Sequence, residues 1–404
     1  MTKYMGVTTQ ELMSESLKAV VAAYKLEGKV MGDVALGAVM SSAANWNLAR
    51  ECVLDTALHP YTPAYNVQRA CGTSLETTWQ LCLKIASGQI DDGIAAGVDT
   101  NSDLPIEVSD RMKKLLLQAN NAKSLSQKLQ IFAQFSLRDL RPKIAQVVEP
   151  RTGLSMGQHC ELMAKEWKIS REDQDQLAYT SHMNGSKAYK EGFYNDLVVP
   201  FKGITSDATL RGDTTLEKLA TLKPAFDKAN GTLTAGNSSP LTDGSSAVLL
   251  ASEESMKQNN WKPLARFVDA QVAAVAFNKG DGLLMAPTVA VAKMLKRNNL
   301  KLQDFDFYEI HEAFAAQVLC TLKAWESDEY CKKYLESEKA LGPIDRTKMN
   351  VVGGSVAVGH PFAATGTRIV ASLSKLLSQK KGARGLISIC TAGGMGVTAI
   401  LESV

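Results

Sequence analysis

No CxxC pair occurs in this chain, and its seven cysteines are odd in number and irregularly spaced. Neither a disulfide framework nor a tetrahedral zinc site is expected from such spacing, and a reducing, cytoplasmic setting fits best. No uninterrupted apolar run reaches membrane-spanning length, and the N-terminal "MTKYMGVTTQEL" lacks the apolar core of a signal peptide. Charge of one sign is also missing: a formal net charge of +3 and a pI near 8.3 are too mild to argue for nucleic acid. Histidine is scarce, with five in 404 residues, so the place of each carries information.

What is present is the composition of an ordinary soluble globular protein, with 45% hydrophobic and 22% charged residues and length enough for a substantial core. Thr8 and Glu11 have the spacing of a capping box, and they open a predicted amphipathic helix through Leu26 with Met13, Leu17, Val20 and Tyr24 on one face. Predicted strands "DVALGAV", "AYNVQRA" and "GIAAGVDTNS" alternate with predicted helices "NLARECVLDTAL" and the segment after Ser74. Such alternation implies an α/β architecture. The C-terminal part repeats the plan. "FDFYEIHEAFAAQVLCTL" reads as strand into helix, "MNVVGGSVAVGHPFAATG" leads into a helix through Lys380, and "GLISICTAGGMGVTAILES" reads as two strands joined by a glycine turn. Two similar halves follow.

The comparison of halves locates an insertion. The last two strands are adjacent in the second half, whereas "GIAAGVDTNS" must wait for "GSSAVLLAS" as its hairpin partner. The expected division is therefore an N-terminal half over 1–103 completed by 244–255, a loop domain over 104–243, and a C-terminal half over 256–404. Arg111 to Arg151 holds nine Lys/Arg against two Asp/Glu. That run suits a solvated helical face, or a docking surface for a phosphate-bearing ligand, an acidic lipid surface or a partner.

Cys71, in "NVQRACGTS", stands between an extended run and a small-residue turn. Leu75, Trp79, Cys82 and Ala86 follow at helical spacing. A helix N-terminus stabilises negative charge, so the spacing predicts a lowered thiol pKa if Cys71 is more than a packed core residue. His311 in "EIHEAFAA", His360 in "AVGHPFAATG" and Cys390 in "ICTAGGMG" stand at comparable places, each read as following an apolar strand. Ligands of open α/β sheets bind at the carboxyl ends of strands. Four groups able to move protons or attack carbon at equivalent ends point to a catalytic site more strongly together than singly.

The ordered set "CGTS", "HEAFA", "GGSVAVGHPFAATG" and "CTAGGMG" resembles the thiolase family, and the resemblance covers nearly the whole chain, including "LKPAFDKANGTLTAGNSSPLTDGSSAVLL". It is most similar to the 3-ketoacyl-CoA thiolase branch that forms the β subunit of fatty-acid oxidation complexes. The resemblance implies the thiolase fold: two duplicated βαβαβαββ halves in a layered α-β-α-β-α arrangement with an inserted loop domain. It implies Cys71 as the acylated nucleophile, His360 as its base and Cys390 as the acid/base thiol. His311, where many thiolases have Asn, would hold the thioester oxygen of the departing enolate together with His360. Backbone N–H groups of Cys71 and Ala392 would form a second oxyanion hole, and Ser239 and Met156 would contact CoA.

The chemistry agrees with these roles. Cleaving a 3-ketoacyl thioester needs a soft nucleophile, one group that acts first as acid and then as base, and donors aimed at two oxyanions, each worth ~3 kcal/mol of barrier. No metal and no permanently bound cofactor is needed; coenzyme A is a co-substrate. The implied partners are acyl-CoA and CoA, a second copy of the chain, and an α subunit with hydratase and dehydrogenase activities; peripheral membrane contact through the basic loop domain is a further expectation. A 3-ketoacyl synthase is the rival condensing enzyme, but it lacks a second catalytic cysteine at the place of Cys390. A biosynthetic acetoacetyl-CoA thiolase and a non-catalytic acyl-CoA-binding scaffold are also compatible with the motifs. One departure stands out: relatives begin with a strand ahead of the first helix, expected inside the N-terminal sheet, whereas here the helix begins about eight residues from Met1.

Overall fold

The computed structural model describes residues 3–145 and 147–404. The N-terminal part comprises α1 (Thr9–Tyr24), β1 (Asp33–Leu36), α2 (Leu48–Leu54), β2 (Ala64–Asn66), α3 (Thr73–Ala86) and β3 (Asp92–Asp99). An excursion follows: β4 (Ile106–Glu107), α4 (Asp110–Asn121), α5 (Leu125–Phe132), β5 (Lys143–Ile144), α6 (Met156–Glu166), α7 (Arg171–Lys190) and α8 (Leu216–Ala220). The chain then returns through β6 (Gly244–Ala251) and α9 (Glu253–Gln258). The C-terminal part comprises β7 (Arg266–Ala274), α10 (Ala286–Asn298), β8 (Phe307–Ile310), α11 (Ala315–Trp325), α12 (Asp328–Tyr334), α13 (Ser355–Val358), α14 (Thr365–Ser378), β9 (Arg384–Thr391) and β10 (Met395–Glu402).

The first sheet has the order β2-β1-β3-β6 and the second β8-β9-β10-β7. In each, parallel pairs give way to an antiparallel one: β3 runs against β6, and β9 against β10. The β3–β6 pairing joins segments separated by the whole excursion, as the internal repeat predicts. Helices α1 and α2 cover the outer face of the first sheet, and α10 that of the second. Between the sheets lie α3 and α14, packed on each other and on strands of both. Their approach depends on Gly366, where an added Cβ would lie 2.2 Å from the Leu75 backbone nitrogen. This is the α-β-α-β-α layering that the resemblance implied.

Burial changes two expectations. The buried face of α1 is Leu12, Met13, Leu17 and Val21, with Val20 and Tyr24 only partly covered, although its capping box at Thr8 and Glu11 is complete. In α3 every residue from Thr73 to Thr78 is buried while Ala86 is exposed, because a helix between two sheets is enclosed all round at its inner end and not along one stripe. The two halves also differ at one edge. β10 has β7 as an outer neighbour, whereas β6 has none among the described strands, and its residues are half-exposed. The place expected to lie inside the N-terminal sheet is therefore an edge beyond β6.

Candidate active site

The loop from β2 to α3 carries Cys71, and Ala70 before it adopts φ +44°, a conformation costing on the order of 1–3 kcal/mol for a residue with a Cβ. Gly72 caps α3, so Cys71 stands just outside the helix end. His311 follows β8 directly, and its N–H donates to the Ser388 carbonyl of β9 at 2.9 Å. His360 does not follow a strand as expected: it comes after the single turn α13, and its N–H donates to the Pro240 carbonyl at 3.1 Å. Cys390 lies in β9, close to the turn at Gly393 and Gly394, both with positive φ. Four separate segments thus converge at one point between the halves.

His360 Nε2 lies 3.2 Å from Cys71 Sγ. The ring centroids of His311 and His360 are 4.2 Å apart, and both residues are almost wholly buried. Each imidazole is held from behind at Nδ1, His360 by Thr365 Oγ1 at 2.7 Å and His311 by Ser355 Oγ at 2.8 Å. Arg368 Nη2 donates to the same Ser355 Oγ at 2.8 Å. A guanidinium only donates, so this hydroxyl accepts from Arg368, and its two lone pairs let it also accept from His311 Nδ1, or its proton can go to that nitrogen instead. In the second arrangement the Nε2 proton of His311 is aimed into the site, where Nε2 has no hydrogen-bond partner among the described residues.

Titration behaviour corrects the lowered thiol pKa expected at Cys71. Burial pushes the thiol up to about 12, and the opposing backbone N–H groups of Ala392 and of Cys71 itself are outweighed. The residue keeps some open surface, but its surroundings are dense enough for desolvation to win over the helix end. Those two amides are the ones expected to form an oxyanion hole, and both interact with the sulfur. Burial and then the Arg368 charge take His360 down to about 3. His311 is lowered well below its ordinary value by burial, then by His360 and Arg368. Cys390 is raised well above its ordinary value by burial and then by Cys71. At neutral pH the resting site is two thiols and two neutral imidazoles, which leaves His360 Nε2 free to take a proton from the Cys71 thiol it faces.

Several residues that sequence reasoning passed over hold this arrangement. Buried Glu312 accepts from Ser181 Oγ, Asn350 Nδ2 and the Val356 N–H. Asp99 accepts the Ala363 N–H at 2.8 Å, tying the end of β3 to the segment after His360. Glu149, on the excursion, accepts the Gly393 N–H at 2.6 Å and pins the turn after Cys390. The signal for Glu312 was its place in "HEAFA"; Asp99 and Glu149 had none, since their partners are remote in sequence. Ser239 donates its hydroxyl to the Ala313 carbonyl at 2.9 Å and precedes the Pro240 that anchors His360. Met156 begins α6 and packs against the C-terminal core, so of the two expected CoA contacts only Ser239 adjoins residues that position the histidines.

Two thiols and two imidazoles gathered among largely buried residues between duplicated halves suit a thioester-handling acyltransferase. The thiolase N-terminal domain model matches residues 1–254, and the thiolase C-terminal domain model matches residues 261–403. The chain belongs to the thiolase family. It is 41% identical to 3-ketoacyl-CoA thiolase of Shewanella putrefaciens over 99% of this chain and 93% of that protein, and the Shewanella baltica 3-ketoacyl-CoA thiolase matches equally. Among solved structures it resembles acetyl-CoA acetyltransferase of Bacillus anthracis, with a TM-score of 0.81 and 30% identity over 99% of this chain and 94% of that one. Human mitochondrial 3-ketoacyl-CoA thiolase in complex with CoA has a TM-score of 0.81 and 29% identity, covering 100% of this chain and 94% of that one.

Proposed function

We propose that the protein is a 3-ketoacyl-CoA thiolase that cleaves 3-ketoacyl-CoA with CoA into acetyl-CoA and a shortened acyl-CoA during fatty-acid β-oxidation. The observation that carries this is the 3.2 Å contact between Cys71 Sγ and His360 Nε2, with the His311 ring tilted against that of His360 and Cys390 near enough to Cys71 for its thiol to be pushed up by it. In the first half-reaction the Cys71 thiol proton passes to His360 as the sulfur attacks the keto carbon. The bond between the α and β carbons breaks, and the acetyl-CoA enolate leaves with its oxygen facing the Nε2 donors of His311 and His360. Cys390 delivers a proton to the enolate carbon. In the second half its thiolate takes the proton of an incoming CoA thiol, which attacks the acyl thioester, and Cys71 leaves with the proton held by His360. The Cys71 and Ala392 amides serve the oxyanion on the Cys71 side, a role for which only backbone is needed.

Thiolysis of acetoacetyl-CoA and of 3-ketohexadecanoyl-CoA, compared between the native chain and Cys71→Ser, tests the reading. Loss of turnover in the variant with the long chain preferred supports it. Preference for acetoacetyl-CoA favours biosynthetic acetyl transfer, the reading that the likeness to the Bacillus acetyltransferase supports. No turnover in either protein refutes both.

A homodimer in the cytoplasm belongs to the same proposal, and a monomer in light scattering at micromolar concentration counts against it. For the basic segment, the solvated-face reading sits poorly with Leu117, Leu125, Leu129 and Leu137, which stand exposed in and just after α4 and α5 among Lys113, Lys114, Lys123, Lys128 and Arg138. Apolar and cationic side chains together suit an acidic membrane surface or an α subunit with hydratase and dehydrogenase activities. Failure to bind anionic vesicles and to co-purify with such a subunit at low salt would remove this part. Among the described residues no helix is long and apolar enough to cross a membrane.

A further inference from the structure

The site has a property that thioester chemistry does not use. One nitrogen from each of His311 and His360 and the sulfur of Cys71 all lie within 4.8 Å of one another. Both rings are engaged at Nδ1 by hydroxyls, so Nε2 is the atom of each that faces the site. His360 Nε2 already faces Cys71 Sγ, and His311 Nε2 is buried without a partner among the described residues. We propose that Cys71, His311 and His360 form a binding site for a thiophilic divalent cation, zinc being the best match, and that the bound ion blocks the nucleophile.

The donor set argues for zinc. A thiolate and two imidazoles form a borderline-soft set, and zinc sites with three protein ligands keep a fourth position open. Tetrahedral zinc, with Zn–S about 2.3 Å and Zn–N about 2.0–2.1 Å, places donor atoms roughly 3.3–3.6 Å apart. The Cys71–His360 pair, at 3.2 Å, nearly meets this, and the His311 nitrogen, within 4.8 Å of the other two donor atoms, has to swing inward to join them. Ring orientation is supplied by the arrangement typical of zinc-bound histidines, in which the second ring nitrogen is held by an oxygen. Metal binding needs the Nδ1–H tautomer of both rings. Thr365 Oγ1 can accept from one, and Ser355 Oγ, with two lone pairs, can accept from both Arg368 and His311.

The step balances simply: the Cys71 thiol loses its proton to solvent, the thiolate binds the dication, and nothing is oxidised or reduced. Arg368, donating to Ser355 Oγ behind His311, opposes the added charge and weakens the site. The histidine at 311 completes the set; an amide at that place would supply no comparable ligand. The binding half of the proposal is independent of the thiolase reading, while the blocking half rests on it.

Cobalt serves as the spectroscopic probe on the full chain in CoA-free buffer. The expected result is a thiolate-to-cobalt charge-transfer band with tetrahedral visible bands, both displaced by zinc. Cys71→Ser should abolish the charge-transfer band. His311→Asn should weaken zinc binding by more than the about 10–100-fold that loss of a supporting hydrogen bond costs, with circular dichroism confirming that each variant is folded. In a preparation with measured turnover, zinc should inhibit and a chelator should restore the rate. Absence of the band in the folded native chain, a band that survives Cys71→Ser, or unchanged zinc affinity in His311→Asn overturns the proposal. An inactive chain that still shows the band sinks the thiolase reading alone.

Discussion

Gly354 gives the sharpest structural test of how the site is held. Its φ of −103° is open to any residue, so alanine brings no backbone strain there. The added methyl, however, would lie 2.2 Å from the Glu312 carboxyl carbon and 2.3 Å from both its oxygens. Glu312 cannot simply turn away, because Ser181, Asn350 and the Val356 N–H all donate to it in a fully buried setting. Overpacking costs about 1–3 kcal/mol, and displacing the carboxylate far enough to lose one charge-assisted hydrogen bond adds about 1.5–3 kcal/mol. Gly354→Ala should therefore destabilise by about 3–6 kcal/mol. For 404 residues this lowers Tm by roughly 4–7 °C at an unfolding entropy of about 2.1 cal/mol/K per residue. Because Glu312 directly follows His311 in the chain, and Val356 follows Ser355, kcat should fall as well. Calorimetry and a thiolysis assay read both effects. Adding Glu312→Ala removes the group that the methyl strikes, so the two changes should be strongly non-additive. A single variant that melts with the native protein, or a double variant whose losses simply add, would refute the reasoning.

Three other outcomes follow from the same geometry. Removing the Ser355 hydroxyl, in Ser355→Ala, should lower kcat about 10-fold, the equivalent of about 1.4 kcal/mol for a lost positioning hydrogen bond, with KM almost unchanged; an equal loss in KM would argue for a binding role. Because burial lowers His360 to about 3, the proposed base stays deprotonated until pH falls far below the ordinary histidine value of about 6.5. kcat/KM for the ketoacyl thioester should thus be flat between about pH 5 and 7, and an acid limb near 6.5 in the native enzyme would contradict the assignment. Glu149→Gln weakens the contact that fixes the Gly393 amide; it should slow deacylation by CoA more than acylation, measured in single-turnover experiments, if the turn positions Cys390.

Much of this protein is determined by local sequence. The capping box at Thr8 and Glu11, the strand-into-helix segment around His311 and the glycine turn after Cys390 all rest on short-range backbone chemistry, and all occur in the structure. The pairing of β3 with β6 across the excursion was legible because the second half repeats the pattern without an insertion. What the sequence could not determine depends on distance through space. Desolvation of Cys71 reverses the pKa shift that its helix end alone would produce, and only packing between the two halves supplies that burial. The same holds for the partners of the histidines: Ser355, Thr365 and Arg368 are ordinary polar letters until α13 and α14 bring them behind the imidazoles. That β6 has no outer neighbour among the described strands likewise belongs to tertiary structure, since a strand's neighbours are chosen by the sheet and not by the strand itself.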